Sequence, residues 1–400
     1  MPPPAQQHVR HLPTHATALA QAQTFFQNRN YPEAEAVCEQ LLAKRPSDFD
    51  ALYLLGAIRH AQGRLPEALD ALARALETNA RSPEVLFNHG MILASLNRLA
   101  EALDSYDRAV SLKPDWAEAQ RNRGRVLLDL DRPDAALPCF EAALRLKPDF
   151  VDALNGQGNA LVALRRAEEA VAALERALRL QPGNVHALYN LGTALTRLGR
   201  HSEALESYDK ALAVNPRYVQ AHANRGVVLC KLKRYDEAIA SCDRAIALDP
   251  GHVNALIARG NALHEMGRYE EALAWFDRAT TIDPNQDEAW TSRGVALEQL
   301  VRLDEALASY DRALAINPNS ARTWTSRGNT LLVHDRLDEA LASHDRAFAL
   351  NPRSLDAHAN KGVAFLHAGR PLEALEHFER ALAGNPSFAN ARFNKSLIDL

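Results

Sequence analysis

The stretch Asp304-Glu-Ala-Leu-Ala-Ser-Tyr-Asp-Arg-Ala-Leu-Ala-Ile-Asn-Pro318 recurs along the chain, with small changes, at a constant offset of 34 residues. Counting from His15, repeats start at 49, 83, 117, 151, 185, 219, 253, 287, 321 and 355, and an incomplete twelfth starts at 389. No insertion or deletion interrupts the count. A fixed period of this length overrides the expectation that 400 residues form two or three separate domains, because stacked repeats grow without a central core.

Small residues hold fixed places in the repeat. Position 8 is Gly in ten of the eleven complete repeats, from Gly56 to Gly362, with Ala22 in the first. Position 20 is Ala in all eleven, and position 27 is Ala in ten, from Ala75 to Ala381. A Gly inside a helix costs about 1 kcal/mol relative to Ala, so its recurrence implies close packing that offsets the cost. Gly at 8 and Ala at 20 strip side-chain bulk from the crossing of two antiparallel helices, and Ala at 27 does so toward a neighbouring helix. Pro at position 32 in ten repeats ends the second helix. The unit is an αα-hairpin, with a first helix expected over positions 2 to 14 and a second over about 18 to 31, each about 20 Å long. Position 15 is often Gly and position 16 is Arg in ten of eleven repeats, which marks the turn. Pro138 falls inside a second helix, where a local distortion is expected.

The combination of Leu or Trp at position 4, Gly at 8, Ala at 20, an apolar or aromatic residue at 24, Ala at 27 and Pro at 32 resembles the tetratricopeptide repeat family. One repeat carries all of it in Trp290, Gly294, Ala306, Tyr310, Ala313 and Pro318. The resemblance covers residues 15 to 388. It implies an all-α fold, a right-handed superhelical solenoid of stacked antiparallel helix pairs, with first helices lining a concave groove.

Domain organisation follows: a Pro-rich disordered leader over 1–14, eleven repeats over 15–388, and over 389–400 the first helix of a twelfth repeat whose second helix is missing, so that the chain reads as truncated. Composition bounds the function. A net charge of −4 lacks the basic footprint of a nucleic-acid binder, and no apolar run reaches the length of a membrane span. The four cysteines, Cys38, Cys139, Cys230 and Cys242, have no paired spacing and read as reduced thiols, consistent with a cytoplasmic protein. Cys38 and Cys242 stand at position 24, where a small buried hydrophobe fits. His8, His11 and His15 have the spacing of ligands on one helix face, but Pro13 interrupts that helix, and neither a metal nor a cofactor is expected.

No phosphate-binding loop, zinc-protease helix, calcium loop or nucleophile elbow is present, and Gly156-Gln-Gly158 lies in a helix rather than after a strand. These residues therefore suggest no enzyme. A feature recurring once per repeat suits an extended partner better than a reaction. The candidate is position 6 of the first helix, Asn at Asn88, Asn122, Asn190, Asn224, Asn360 and Asn394, with Asn159, Asn261 and Asn329 at position 9 adding polar contacts. An Asn amide both donates and accepts, so it can bond the C=O and N–H of an extended peptide. Gly156, Ala258, Ser292 and Ser326 interrupt the row. The alternative for these asparagines is bonding to neighbouring loops or water.

The row resembles the asparagine ladder in the repeat arm of O-linked N-acetylglucosamine transferases, and that resemblance implies groove binding of an acceptor polypeptide. Chaperone-binding members of the family pair Lys at position 5 with Asn at position 9; here Asn155, Ile257 and Thr325 stand at position 5 instead. The partners expected are proteins or extended peptides, with no nucleic acid, membrane or small-molecule substrate. Two readings result: an interaction scaffold, or the acceptor-recruiting arm of a glycosyltransferase whose catalytic domain is not in this chain.

One pattern departs from the family. Position 7, usually Leu, is basic at Arg123, Arg225, Arg259, Arg293, Arg327, Lys361 and Lys395, and sixteen residues before each stands an acid: Asp107, Asp209, Asp243, Asp277, Asp311, Asp345 and Glu379. Either inter-repeat ion pairs or duplication of one repeat type accounts for it.

Overall fold

A computed structural model describes residues 14–352 and 354–398. The leader before Thr14, including His8 and His11, lies outside the described residues, as do Asp399 and Leu400. Thr14 itself is the N-cap of the first helix, its hydroxyl accepting from the Thr17 amide. Among the described residues there are 23 α-helices and no strands, in two compact units, Met1–Leu198 and Gly199–Leu400. Each unit is a stack of antiparallel helix pairs in sequence order, and the fold is an all-α repeat solenoid.

The helices begin one residue earlier than the repeat pattern suggests. First helices occupy positions 1 to 13, as in Val253–Glu265, and second helices positions 17 to 30, as in Tyr269–Ile282. Residue 34 of one repeat is the N-cap of the next, and Asp48, Ser82, Asn184, Ser320 and Ser354 each accept from the amide three residues on, which supports a start at position 1; Trp116, Phe150, Tyr218 and Gln286 hold the same place without a side-chain cap.

The first helix stops on a left-handed residue. Position 15 has positive φ in all eleven repeats, at Gly63, Gly199, Gly267 and Gly369 but also at Arg29, Asn97, Asp131, Arg165, Lys233, Val301 and Asp335. Its amide and the next one bond back three and five residues, as Gly63 N–H to His60 C=O and Arg64 N–H to Arg59 C=O, which satisfies carbonyls at the helix end. Arg at position 16 then leads into the second helix. In nine repeats it forms a pair with Glu at position 19 in the first turn, at 2.6–2.7 Å from Arg98–Glu101 through Arg336–Glu339 and also as Arg64–Glu67 and Arg370–Glu373. The glutamates carry pKa values below the usual range because of that Arg hydrogen bond.

Within the hairpin, Gly at position 8 faces the side chain at position 24. A Cβ on Gly260 would come 2.5 Å from Phe276, on Gly294 2.5 Å from Tyr310 and on Gly362 2.6 Å from Phe378. Ala at position 20 is fully buried in every repeat. Pro138 does not break its helix, which runs from Pro133 to Leu146 like its counterparts; it sits one turn in, where only the Asp134 carbonyl loses its amide partner.

Adjacent repeats are clamped by charge. All seven acid–base pairs form: Asp107–Arg123 at 2.5 Å, Asp209–Arg225, Asp243–Arg259 and Asp277–Arg293 at 2.6 Å, Asp311–Arg327 and Asp345–Lys361 at 2.7 Å, and Glu379–Lys395 at 2.8 Å. The arginine also holds its own repeat, since Arg293 and Arg327 donate to Ser309 and Ser343 on the following second helix. Within each unit consecutive first helices touch, as Val219–Lys231 does Val253–Glu265, while no second helix touches the next second helix among the described residues. Each stack is therefore tighter on its first-helix side, and that side is the inner one.

Candidate functional site

In the unit Gly199–Leu400 the inner face is lined by positions 2, 5, 6, 9, 12 and 13 of the first helices, with position 12 also reaching its own second helix, as His264 does toward Tyr269. Position 6 lies where two first helices meet. In the unit Met1–Leu198, the Asn88 amide donates to the Tyr53 hydroxyl at 3.0 Å and the Asn190 amide to Asn155 Oδ1 at 2.8 Å, each reaching position 5 of the preceding first helix. Both are half-buried, and Asn122 is buried, only 5% exposed. Asn159 is exposed. In the unit Gly199–Leu400, Asn224, Asn360 and Asn394 at position 6 and Asn261 and Asn329 at position 9 are half-buried. Asn394 differs from Asn88 and Asn190 in bonding within its own helix, to Asn390 at 2.9 Å. Each bond engages one N–H of an amide that has two donors and two acceptor lone pairs.

Where the row is interrupted, the face changes. Gly156 accommodates Phe140 of the repeat before it, leaving no room for a Cβ. Ala258 and Ser292 lie instead in a groove of about 660 Å³ that runs over repeats seven to ten. Asn224 and Asn261 line it, with Val227, Ile257 and Val295 as apolar wall and the buried ring of Phe276, from a second helix, beneath its floor. Its charged rim is mixed: Lys231, Lys233 and Arg322 stand against Glu265 and Glu288. The Cys230 thiol, also in the lining, is pushed up to about 11 by burial and so stays protonated. Burial likewise lowers the pKa of His264, which keeps its imidazole neutral.

Next to the groove, Glu298 at position 12 accepts from the Tyr310 hydroxyl at 3.1 Å and from Thr330 Oγ1 at 3.0 Å. Sequence reasoning passed over Glu298 and His264, and took Ser292 only as a break in the row of asparagines. The available signal was the run of consecutive small residues at position 6. Groups of three or more His, Cys, Asp or Glu able to hold a metal are absent among the described residues, and His15 contacts Asp48 at 2.5 Å. All four cysteines are free; burial pushes Cys38 up to about 12 and raises Cys242 further, as expected of small core side chains. No described helix is long and apolar enough to cross a membrane.

Comparison with known proteins agrees with this architecture. A family profile described as tetratricopeptide repeat matches residues 19–83, 61–118, 121–185, 155–213, 189–253 and 325–396, and two further profiles of the same description match 229–294 and 287–320. A comparison with curated protein sequences returns no match. Among solved structures, the chain is similar to one described as the crystal structure of the APC/C hetero-tetramer Cut9-Hcn1, with a TM-score of 0.52 and 15% identity over 96% of each chain, a likeness of fold. With family profiles covering nearly all the repeats that the spacing of Gly, Ala and Pro marks out, the chain belongs to the tetratricopeptide repeat family.

Proposed function

We propose that this chain is a protein-interaction scaffold that binds extended polypeptide segments along the first-helix face of its units. The observation that carries this is the groove over repeats seven to ten, lined mainly by first-helix residues and open to a chain laid across successive hairpins. The half-buried amides support it: Asn88 and Asn190 are held by their bonds to the neighbouring helix, and a pre-oriented amide loses little freedom on meeting a peptide backbone. Asn224 and Asn261 are the asparagines that line the groove, while Asn159, Asn329, Asn360 and Asn394 extend the polar face elsewhere. Buried Asn122 serves packing more than binding. The free thiols support a cytoplasmic setting. The glycosyltransferase-arm reading gains no observation beyond the asparagines themselves.

Replacing Asn88, Asn190, Asn224 and Asn360 together by Ala tests the proposal. Binding of extended peptides of unrelated sequence should weaken severalfold while circular dichroism stays unchanged. Undiminished binding would overturn backbone recognition by these amides, and loss of a single peptide class would point to side-chain recognition instead.

A further inference from the structure

The groove over repeats seven to ten contains two polar groups that the protein leaves without a partner. Ser292 is 4% exposed, and its hydroxyl makes no hydrogen bond. His264 Nε2 is buried with no partner either. Buried polar groups are normally paired, so two orphans lining one cavity ask for a ligand atom. Both residues belong to the groove lining, where position 6 carries Ala258 and Ser292 in place of Asn. Removing two successive amides makes the recess, and Ile257, Ala258 and Val295 give it apolar walls.

The chemistry of the orphans narrows the occupant. Glu265 lies 4.0 Å from His264 Nδ1, too far to hydrogen-bond and fix the tautomer, so Nε2 either accepts or donates, and a hydroxyl serves it in both cases. The Ser292 hydroxyl can donate or accept. A group that both donates and accepts, carried on a flat apolar body, satisfies the two at once. A carboxylate serves only the tautomer with the proton on Nε2 and an ammonium only the other, whereas a hydroxyl serves both, and a phenylalanine ring leaves both groups unpaired.

We propose that this recess takes a tyrosine side chain from a bound extended peptide, its ring against Ile257, Ala258 and Val295 and its hydroxyl bonded to Ser292 and His264. The proposal rests on the groove being the peptide-binding face, and it adds a side-chain preference to a face otherwise suited to backbone. Tyrosine fits such a place because it brings a large apolar area with a polar tip and has few rotors to freeze.

A phage-displayed library of random peptides about twelve residues long, about 40 Å when extended, is selected on the full chain and the retained peptides are measured singly. Retained peptides should share one Tyr; changing it to Phe should weaken binding about five- to tenfold, as loss of a hydrogen bond does. Ser292→Ala should bring the Tyr and Phe peptides close together, and Ala258→Asn, which restores the side chain found at this position in other repeats, should block both. Retained peptides without a common Tyr, or a Tyr preference that survives Ser292→Ala, would overturn the proposal. Peptides that ignore Ala258→Asn yet lose affinity in the Asn88, Asn190, Asn224 and Asn360 variant would sink the recess and leave the groove reading standing. Insensitivity to both sets, or a library that yields no binder, would sink both.

Discussion

The carboxylate of Asp243 accepts from Nε of Arg259 at 2.6 Å across a repeat junction, and the same guanidinium lies 4.1 Å from the ring centre of Trp275. One side chain thus touches the second helix of the repeat before it and the second helix of its own repeat. The covariation of acid and base along the chain records a physical contact as well as a copied repeat.

This geometry separates the contributions of charge and of stem. Asp243 is about half exposed, so Asp243→Asn should cost under about 1 kcal/mol. Arg259→Ala removes the ion pair, the Trp275 stacking and the apolar cover of the stem, and should cost about 1–2 kcal/mol. Urea unfolding of the two single variants and the double variant gives the comparison. A coupling energy well above 1 kcal/mol would mean that the pair is far better shielded than its exposure indicates.

Gly260 invites the opposite of what helix propensity suggests. Ala is favoured over Gly by about 1 kcal/mol in a helix interior, yet a Cβ here would stand 2.5 Å from Phe276 Cε1, with the ring fixed in the core. Gly260→Ala should therefore destabilise the protein by about 1–3 kcal/mol. Gly183, in a loop with nothing within 4 Å of an added Cβ and no positive φ, is the control, and Gly183→Ala should stay within about 0.5 kcal/mol. Thermal melts that rank the two variants the other way would remove the packing explanation for Gly at position 8.

The hairpin register and the inter-repeat pairs were legible because each depends on a residue type that must be there: a missing side chain at Gly260, a charge at Arg259. The turn was less legible. Only four of eleven residues at position 15 are Gly, because the two backward hydrogen bonds at the helix end offset much of the left-handed cost, and Asn97, Lys233 or Val301 is tolerated. The pairing of Arg at 16 with Glu at 19 was hidden for another reason, since residues three apart near a helix start look like independent solvated charges until the turn brings them together. The groove was least legible. Ala258 and Ser292 looked like gaps in a row of asparagines, and the recess they open exists only once four first helices are stacked.

Val301 holds φ at 59° and is 76% exposed, so little in its packing compensates for the strain. A left-handed conformation costs a non-glycine residue roughly 1–2 kcal/mol, more for a β-branched one. Gly199, Gly267 and Gly369 occupy the equivalent place in other repeats. Val301→Gly should raise stability by about 1 kcal/mol even though it loosens the unfolded chain, which partly opposes the gain. An unchanged or lowered urea midpoint would show that the strain is relieved in another way.

His344 supplies a pH test. It stands at position 24, where other repeats place Phe140, Phe276 and Phe378, and its buried Nε2 has no partner. Burial lowers its pKa to about 4, with Asp345 opposing and Lys361 adding to the shift. The unfolded chain takes up a proton near pH 6.5 while the native chain does so only near 4, so this histidine's contribution is complete above 6.5 and is lost progressively as pH falls toward 4. At about 1.4 kcal/mol per unit, the loss between pH 6.5 and 5 is about 2 kcal/mol. His344→Phe abolishes that term and removes an unsatisfied nitrogen. The variant should be more stable than the parent at pH 7, and its advantage should widen by about 2 kcal/mol at pH 5. His377, also lowered to about 4, remains in both proteins and cancels from the difference. Urea unfolding of the two chains at pH 7 and pH 5 reads the difference directly; a gap that does not widen would mean that His344 becomes protonated in the folded protein well above pH 4.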